Sequence, residues 1–180
     1  MYQIGDKVVY PVHGAGWVEA IENREVAGQW RSYYVLNLPF NELRIMVPQE
    51  EAEKVGLRDL MPPETTDRVL RILEGKQSEA EMSQTVRELN LEKWNTRFRL
   101  QISSIKNGNV FELAEIVHIL MVRDRLKPLS NGERKIFEQA KEILFSELWL
   151  ISNESQPETA DRIKLIINES AEIEHINSSN

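Results

Sequence analysis

Cysteine is absent from the 180 residues, so no disulfide frame, thiolate metal site or cysteine nucleophile can be built. There are three histidines, His13, His118 and His175. They lie in a turn, a helix and the tail, without the local spacing of a metal site. The opening stretch MYQIGDKVVYPVHG has no basic segment followed by an apolar core, and no apolar run approaches ~18 residues. A cytoplasmic protein is expected. Glycine is sparse at eight residues, and its clusters are not phosphate cradles. Gly14-Ala15-Gly16 is a lone GxG between two strands and opens no helix. Gly75-Lys76 is followed by Gln and lacks the upstream glycine of a P-loop. Carboxylate pairs such as Glu50-Glu51 have no visible acid-base partner. No catalytic residue, metal or cofactor is expected, and the chain is read as a non-enzyme.

What is present is an ordinary globular composition, 41% hydrophobic and 28% charged, with a net charge of −7. That sign argues against a nucleic-acid partner until the charge is followed along the chain. Residues 1–60 carry 6 basic and 9 acidic side chains, and residues 151–180 carry 2 and 6. Between these acidic ends, KWNTRFRLQISSIK holds Lys93, Arg97, Arg99 and Lys106 and no acid, a local +4.

The pattern changes character near residue 50. Residues 6–48 are rich in Val, Ile, Tyr and Trp with short alternating runs, which predicts strands over Lys7 to Tyr10, Gly16 to Asn23, Arg31 to Leu38 and Leu43 to Val47. Hairpin-sized gaps separate them at Pro11 to Ala15, Ala27-Gly28 and Pro39 to Glu42. Short antiparallel strands in this length tend to close into a small barrel, which removes exposed edges. From residue 62 the apolar period is helical. Helices are predicted around Val69 to Leu73, over Leu91 to Ile105, after an Asn109 cap, after a Ser130/Glu133 capping box, and after Ser155/Glu158 before Ile163, Ile166 and Ile167. Segment 75–90 is polar and reads as a linker or a weak amphipathic turn. The expected fold is α+β in two domains. Residues 1–60 form a Tudor/SH3-like antiparallel β-barrel, and residues 61–180 an all-α domain of about five helices.

The basic island interleaves cations with aromatic groups, the combination that nucleic-acid surfaces use. Trp94 stands in the first turn of its helix, where a rigid ring can project outward and wedge beside bases in a minor groove. The same stretch also has core spacing: Leu91, Trp94, Phe98, Ile102 and Ile105 fall on one helical stripe. Pattern alone leaves Trp94 open between surface and core, while Phe98, Ile102 and Ile105 belong to the core either way. Packing accounts for Trp17, Trp30 and Trp149.

Six segments in order, GDKVVYPVHGAGWVEAIE, LRIMVP, VGLRDL, KWNTRFR, NGNVFELAEIV and LSNGERKIFEQAKEIL, resemble the CarD/CdnL family over about residues 2–150. The resemblance implies a bacterial transcription factor. Its N-terminal Tudor-like barrel, shared with the transcription-repair coupling factor, binds RNA polymerase, and its helical C-terminal domain touches promoter DNA. Carried over by position, the DNA-contacting residues are Trp94 as minor-groove wedge, with Lys93, Arg97, Arg99 and Lys106 beside it. The polymerase-contacting residues are Arg24, Val26, Val35, Met46 and Pro48. Thr96 stands where many relatives have an arginine, which removes one phosphate contact, and segment 75–93 is longer than the usual connection.

The implied mechanism stabilises the promoter open complex. The barrel holds the polymerase β subunit, and the helices meet promoter DNA at the upstream edge of the transcription bubble. The alternative is a protein-protein adaptor with a Tudor-like module, Trp94 packed inside, and no direct DNA contact.

Overall fold

The computed structural model describes residues 1–78, 82–83 and 94–152 and the single positions 158, 161 and 165, with 94 and 95 described for their backbone alone. The N-terminal part is one five-stranded antiparallel sheet of β1 (Lys7–Tyr10), β2 (Gly14–Val26), β3 (Gln29–Leu38), β4 (Leu43–Pro48) and β5 (Arg58–Asp59), in the order β4-β3-β2-β1-β5. β2 and β3 make a long hairpin closed by Ala27 and Gly28 at φ 52° and 77°. Two consecutive positive φ values are those of a two-residue turn whose twist matches its strands. A register shift between Val18 and Ala20 bends β2.

The expected closed barrel is corrected to an open sheet. β4 ends at Pro48, which has no N–H to continue a ladder, and β5 has two residues that pair with β1. No ladder joins β4 to β5. β5 itself escaped the sequence pattern because Arg58-Asp59 carries no apolar alternation.

Four helices follow among the described residues: α1 (Thr66–Leu73), α2 (Trp94–Asn107), α3 (Val110–Leu126) and α4 (Asn131–Ser152). About five are expected from sequence. The fifth falls beyond Ser155, where only Glu158, Asp161 and Leu165 are described, and Leu91, Ile163, Ile166 and Ile167 lie outside the described residues. Gly108 at φ 65° ends α2, and the Asn109 side chain accepts from the N–H groups of Phe111 and Glu112 to start α3. Ser130 and Glu133 form a reciprocal capping box at α4, the Glu133 N–H donating to Ser130 Oγ at 3.3 Å and the Ser130 N–H to Glu133 Oε2 at 3.1 Å. Within segment 75–90, Gln77 and the Ser83 N–H donate to the carboxylate of Glu115, buried on α3.

Alternation along β1 builds two cores at once. Val8 joins Val18, Tyr34, Leu36 and Val47 inside the sheet, whereas Val9 faces the other way and packs with Ala15 and Leu150. Trp17 and Trp149 pack against this second group, as expected of them. A separate helical core runs from Val69 and Leu73 through Leu113, Val117 and Leu120 to Ile143, Leu144 and Leu148.

Polar contacts pin the sheet to α4. Glu147 is 0% exposed and takes both Arg58 Nη groups at 2.8 Å, and the Met61 N–H at 2.6 Å. Ser146 Oγ accepts from the Ala15 N–H at 2.8 Å and donates to the Ile143 carbonyl. Lys7 Nζ donates to the Leu150 carbonyl at 2.7 Å. Gly14, at φ 95°, lets this approach happen, since a Cβ there would lie 2.5 Å from Ser146 Oγ.

Candidate polymerase and nucleic-acid interfaces

β4 is an outer strand, and its free edge is the natural place for a partner strand. Along it Val47 points into the core and Leu43 is exposed, while Met46 and Pro48 are half-buried. Arg44 reaches across to Glu19 at 2.6 Å. On the β2–β3 hairpin Arg24 is exposed and held by Glu22 through Nε and Nη2, and Val26 is 46% exposed. Arg24 stands opposite Arg31, a like-charge pair relieved by Glu22 on one side and Glu50 on the other.

Val35, carried over as a contact residue, is 2% exposed and lies opposite Met46 across the β3–β4 ladder. One expectation about this sheet is corrected: Trp30, assigned to packing, is 73% exposed beside the hairpin turn. It pairs with Glu25, one residue from the turn, where the hairpin has left the core behind. The signal that could have found it was that position next to the Ala27-Gly28 turn.

At the helical end, Lys93 and the side chain of Trp94 lie outside the described residues, and the backbone of Trp94 begins α2. Phe98 and Ile102 are half-buried against the helical core and Ile105 is buried, in line with their spacing. The island does not form one patch. Arg99 and Lys106 are exposed, and Lys106 shares a crevice with Tyr10, His13 and Lys54 near the sheet. It stands about 13 Å along the axis from Arg97, at 1.5 Å per residue. Arg97, partly buried, instead lines a cleft with Arg123 and Lys127, two cations the sequence pattern did not connect with it. Arg123 closes the α4 capping box by donating to Glu133 at 2.8 Å. Burial opposes ionisation of Glu133 most strongly. The Ser130 and Arg123 hydrogen bonds together outweigh it and hold the carboxyl below the usual carboxylate range. Asp124 is likewise held low by the Leu129 N–H, then by Arg134.

Among the described residues no group of three or more His, Asp and Glu is placed to hold a metal, and no helix is long and apolar enough to cross a membrane. Residues 2–61 match the CarD-like/TRCF RID domain, and residues 68–164 match the CarD C-terminal domain. The chain is also 32% identical over 151 residues to the "Putative transcription factor YdeB" of Bacillus subtilis (strain 168), covering 84% of this chain and 92% of that protein. The chain is a member of the CarD/CdnL family. This is a family of transcription factors with an RNA polymerase-interacting domain, not a family of enzymes. In this CarD-family protein the first match ends at Met61, the residue whose N–H is held by Glu147 of the second, so the two matched regions meet at a buried ion pair.

Proposed function

We propose that this protein regulates transcription by a tether and a wedge. Residues 1–60 bind the RNA polymerase β subunit through the β4 edge and the β2–β3 hairpin, with Arg24, Val26, Met46 and Pro48 at the contact. Residues 61–180 meet promoter DNA at the upstream edge of the bubble, in the cytoplasm at the nucleoid. Trp94 enters the minor groove, Arg97, Arg99 and Lys106 supply phosphate contacts from α2, and Lys93 in the sequence before it supplies another. The open sheet with its unpaired β4 edge replaces the expected Tudor-like barrel in this role without changing it.

The observation that carries the reading is the paired family match, one region for each half of the task, on a chain whose sheet and helices are pinned together at Glu147 and Ser146. A pinned junction matters because tethering raises the local concentration of the DNA-binding face only if the geometry permits both contacts at once. It lets a few cations act despite a net charge of −7. The melted promoter is favoured because the wedge binds unstacked bases better than closed duplex, and only such a difference shifts the equilibrium. Backbone contacts read little sequence, so the effect is general rather than confined to one operator.

The test is a footprint of polymerase with this protein on promoter DNA, with Trp94 intact and as Trp94→Ala. Protection at the upstream edge that disappears with the indole supports the reading. Protection unchanged by the substitution favours the adaptor instead.

A further inference from the structure

Two segments distant in sequence meet on the ring of Pro11. Gly56, at φ 77°, and Gly108, at φ 65°, both abut it: a Cβ would lie 3.0 Å from Pro11 Cγ at the first and 3.9 Å at the second. Left-handed backbone and close approach together call for glycine at Gly56. Each glycine follows a lysine by two residues, so the loop before β5 brings in Lys54 and the end of α2 brings in Lys106. Between them and the β1–β2 turn lies a crevice of about 340 Å³ whose polar lining is Tyr10, His13, Lys54 and Lys106. No carboxylate lines it. Among the described residues, no hydrogen bond or ion pair engages the Tyr10 hydroxyl, the His13 ring nitrogens or either ammonium group. All four side chains can donate. The helix dipole accounts for a cation at the end of α2, but not for the other three.

The turn that forms the crevice wall is fixed in advance. Val12 takes φ 76°, an unfavourable value for a β-branched residue. Its carbonyl accepts from Gln139 at 3.1 Å, and the His13 carbonyl accepts from Asn41 at 2.8 Å. The His13 ring lies parallel to that of Tyr10, with 5.4 Å between centroids. Backbone strain of this kind persists only where the surroundings over-determine it, and ligand clamps are among the places where it collects.

We propose that this crevice binds the phosphate group of a small phosphorylated metabolite, with Lys54 and Lys106 as charged donors and Tyr10 and His13 completing the shell. A phosphate ester carries a charge of about −1.5 to −2 at pH 7 and three acceptor oxygens. That matches two ammonium groups, a hydroxyl and a ring N–H converging from three elements. The volume lies near the lower end of small-molecule sites, roughly 300–1,000 Å³, which fits a compact ligand. Lys106 stands at the opposite end of α2 from Trp94, twelve residues and about 18 Å along the axis. Three of the four polar groups come from residues 1–60. The crevice is therefore distinct from the promoter-contacting surface proposed above, with which it shares Lys106 alone.

The test titrates inorganic phosphate and glycerol 3-phosphate into the full chain at ~0.15 M chloride, where long-range attraction is screened. Binding is followed by calorimetry and phosphorus NMR. Saturable one-to-one binding is expected. It weakens about tenfold or more in Lys54→Ala and in Lys106→Ala, since each loses a charge-assisted contact, and is retained in Lys54→Arg. Both lysines are exposed, so the variants keep the natural melting temperature and a lost signal is not lost folding. Absence of saturation up to ~10 mM overturns the proposal. Arg97→Ala reports on the cleft at the other end of α2. Binding that is lost in Arg97→Ala and kept in Lys54→Ala places the phosphate there and also overturns it. A promoter-DNA arm separates the two sources of phosphate. If neither probe binds and Lys54→Ala lowers the salt slope of open-complex dissociation by about 0.9, the crevice belongs to the DNA backbone and the metabolite site fails.

Discussion

Glu147→Ala tests whether the sheet and the helices are one mechanical unit. Glu147 is completely buried, and its carboxylate answers two Arg58 nitrogens and the Met61 N–H. Removing it strands a guanidinium whose Nε is already buried without a partner, and leaves a buried backbone donor unsatisfied. Breaking a buried pair from one side costs about 3–5 kcal/mol. At about 2–4 °C per kcal/mol for a chain of this size, the melting temperature falls by about 6–20 °C. Glu147→Gln keeps the shape and one acceptor but no charge, and loses about 1.5–3 kcal/mol. Trp17 and Trp149 pack at this junction beside Val9, Ala15 and Leu150. Near-ultraviolet circular dichroism and tryptophan fluorescence during urea unfolding therefore report the junction directly. A Glu147→Ala protein that melts within ~2 °C of the natural one, with its junction tryptophan signals intact, would refute the reasoning.

Gly14→Ala combines a left-handed backbone with a Cβ 2.5 Å from Ser146 Oγ, whereas Gly5 has nearly the same φ and open space around it. Gly5→Ala isolates the strain of about 1–3 kcal/mol, and Gly14→Ala is expected to lose clearly more in thermal melts; equal losses would remove the clash. Trp30→Ser changes stability by less than ~0.5 kcal/mol because the ring is exposed, measured by urea midpoint. Glu133 and Asp124 are both held below ordinary carboxylate values in the fold. Their stabilisation is therefore full above the unfolded-state values of about 4–4.5 and is lost as pH falls through the folded ones. Melts from pH 6 down to 3 should show a steeper decline in the natural protein than in Glu133→Gln, and parallel curves would contradict the shift.

The strands and the helix starts were legible because both rest on local chemistry. Ala27-Gly28 marks a turn, and Asn109 and Ser130/Glu133 mark caps, each within a few residues of the group it serves. What escaped depends on residues far apart in the chain. Nothing near Arg58 announces Glu147, 89 residues on, and a two-residue strand has no period to detect. The basic island was visible as a run of charge, but the fold divides it. Arg97 joins Arg123 and Lys127 while Lys106 sits near the sheet, because α2 spreads its cations along and around its axis. Trp30 escaped because residue type argues for burial but does not say how far the core extends along a strand.

The central claim is that an indole at the start of α2 holds open DNA while the sheet holds polymerase. Open-complex lifetime at a single promoter, compared between the natural protein and Trp94→Ala at equal polymerase occupancy, tests it most directly. Base-aromatic stacking of about 1–3 kcal/mol predicts a lifetime shortened roughly 5- to 150-fold with polymerase binding retained. An unchanged lifetime in a variant that still occupies polymerase would contradict it.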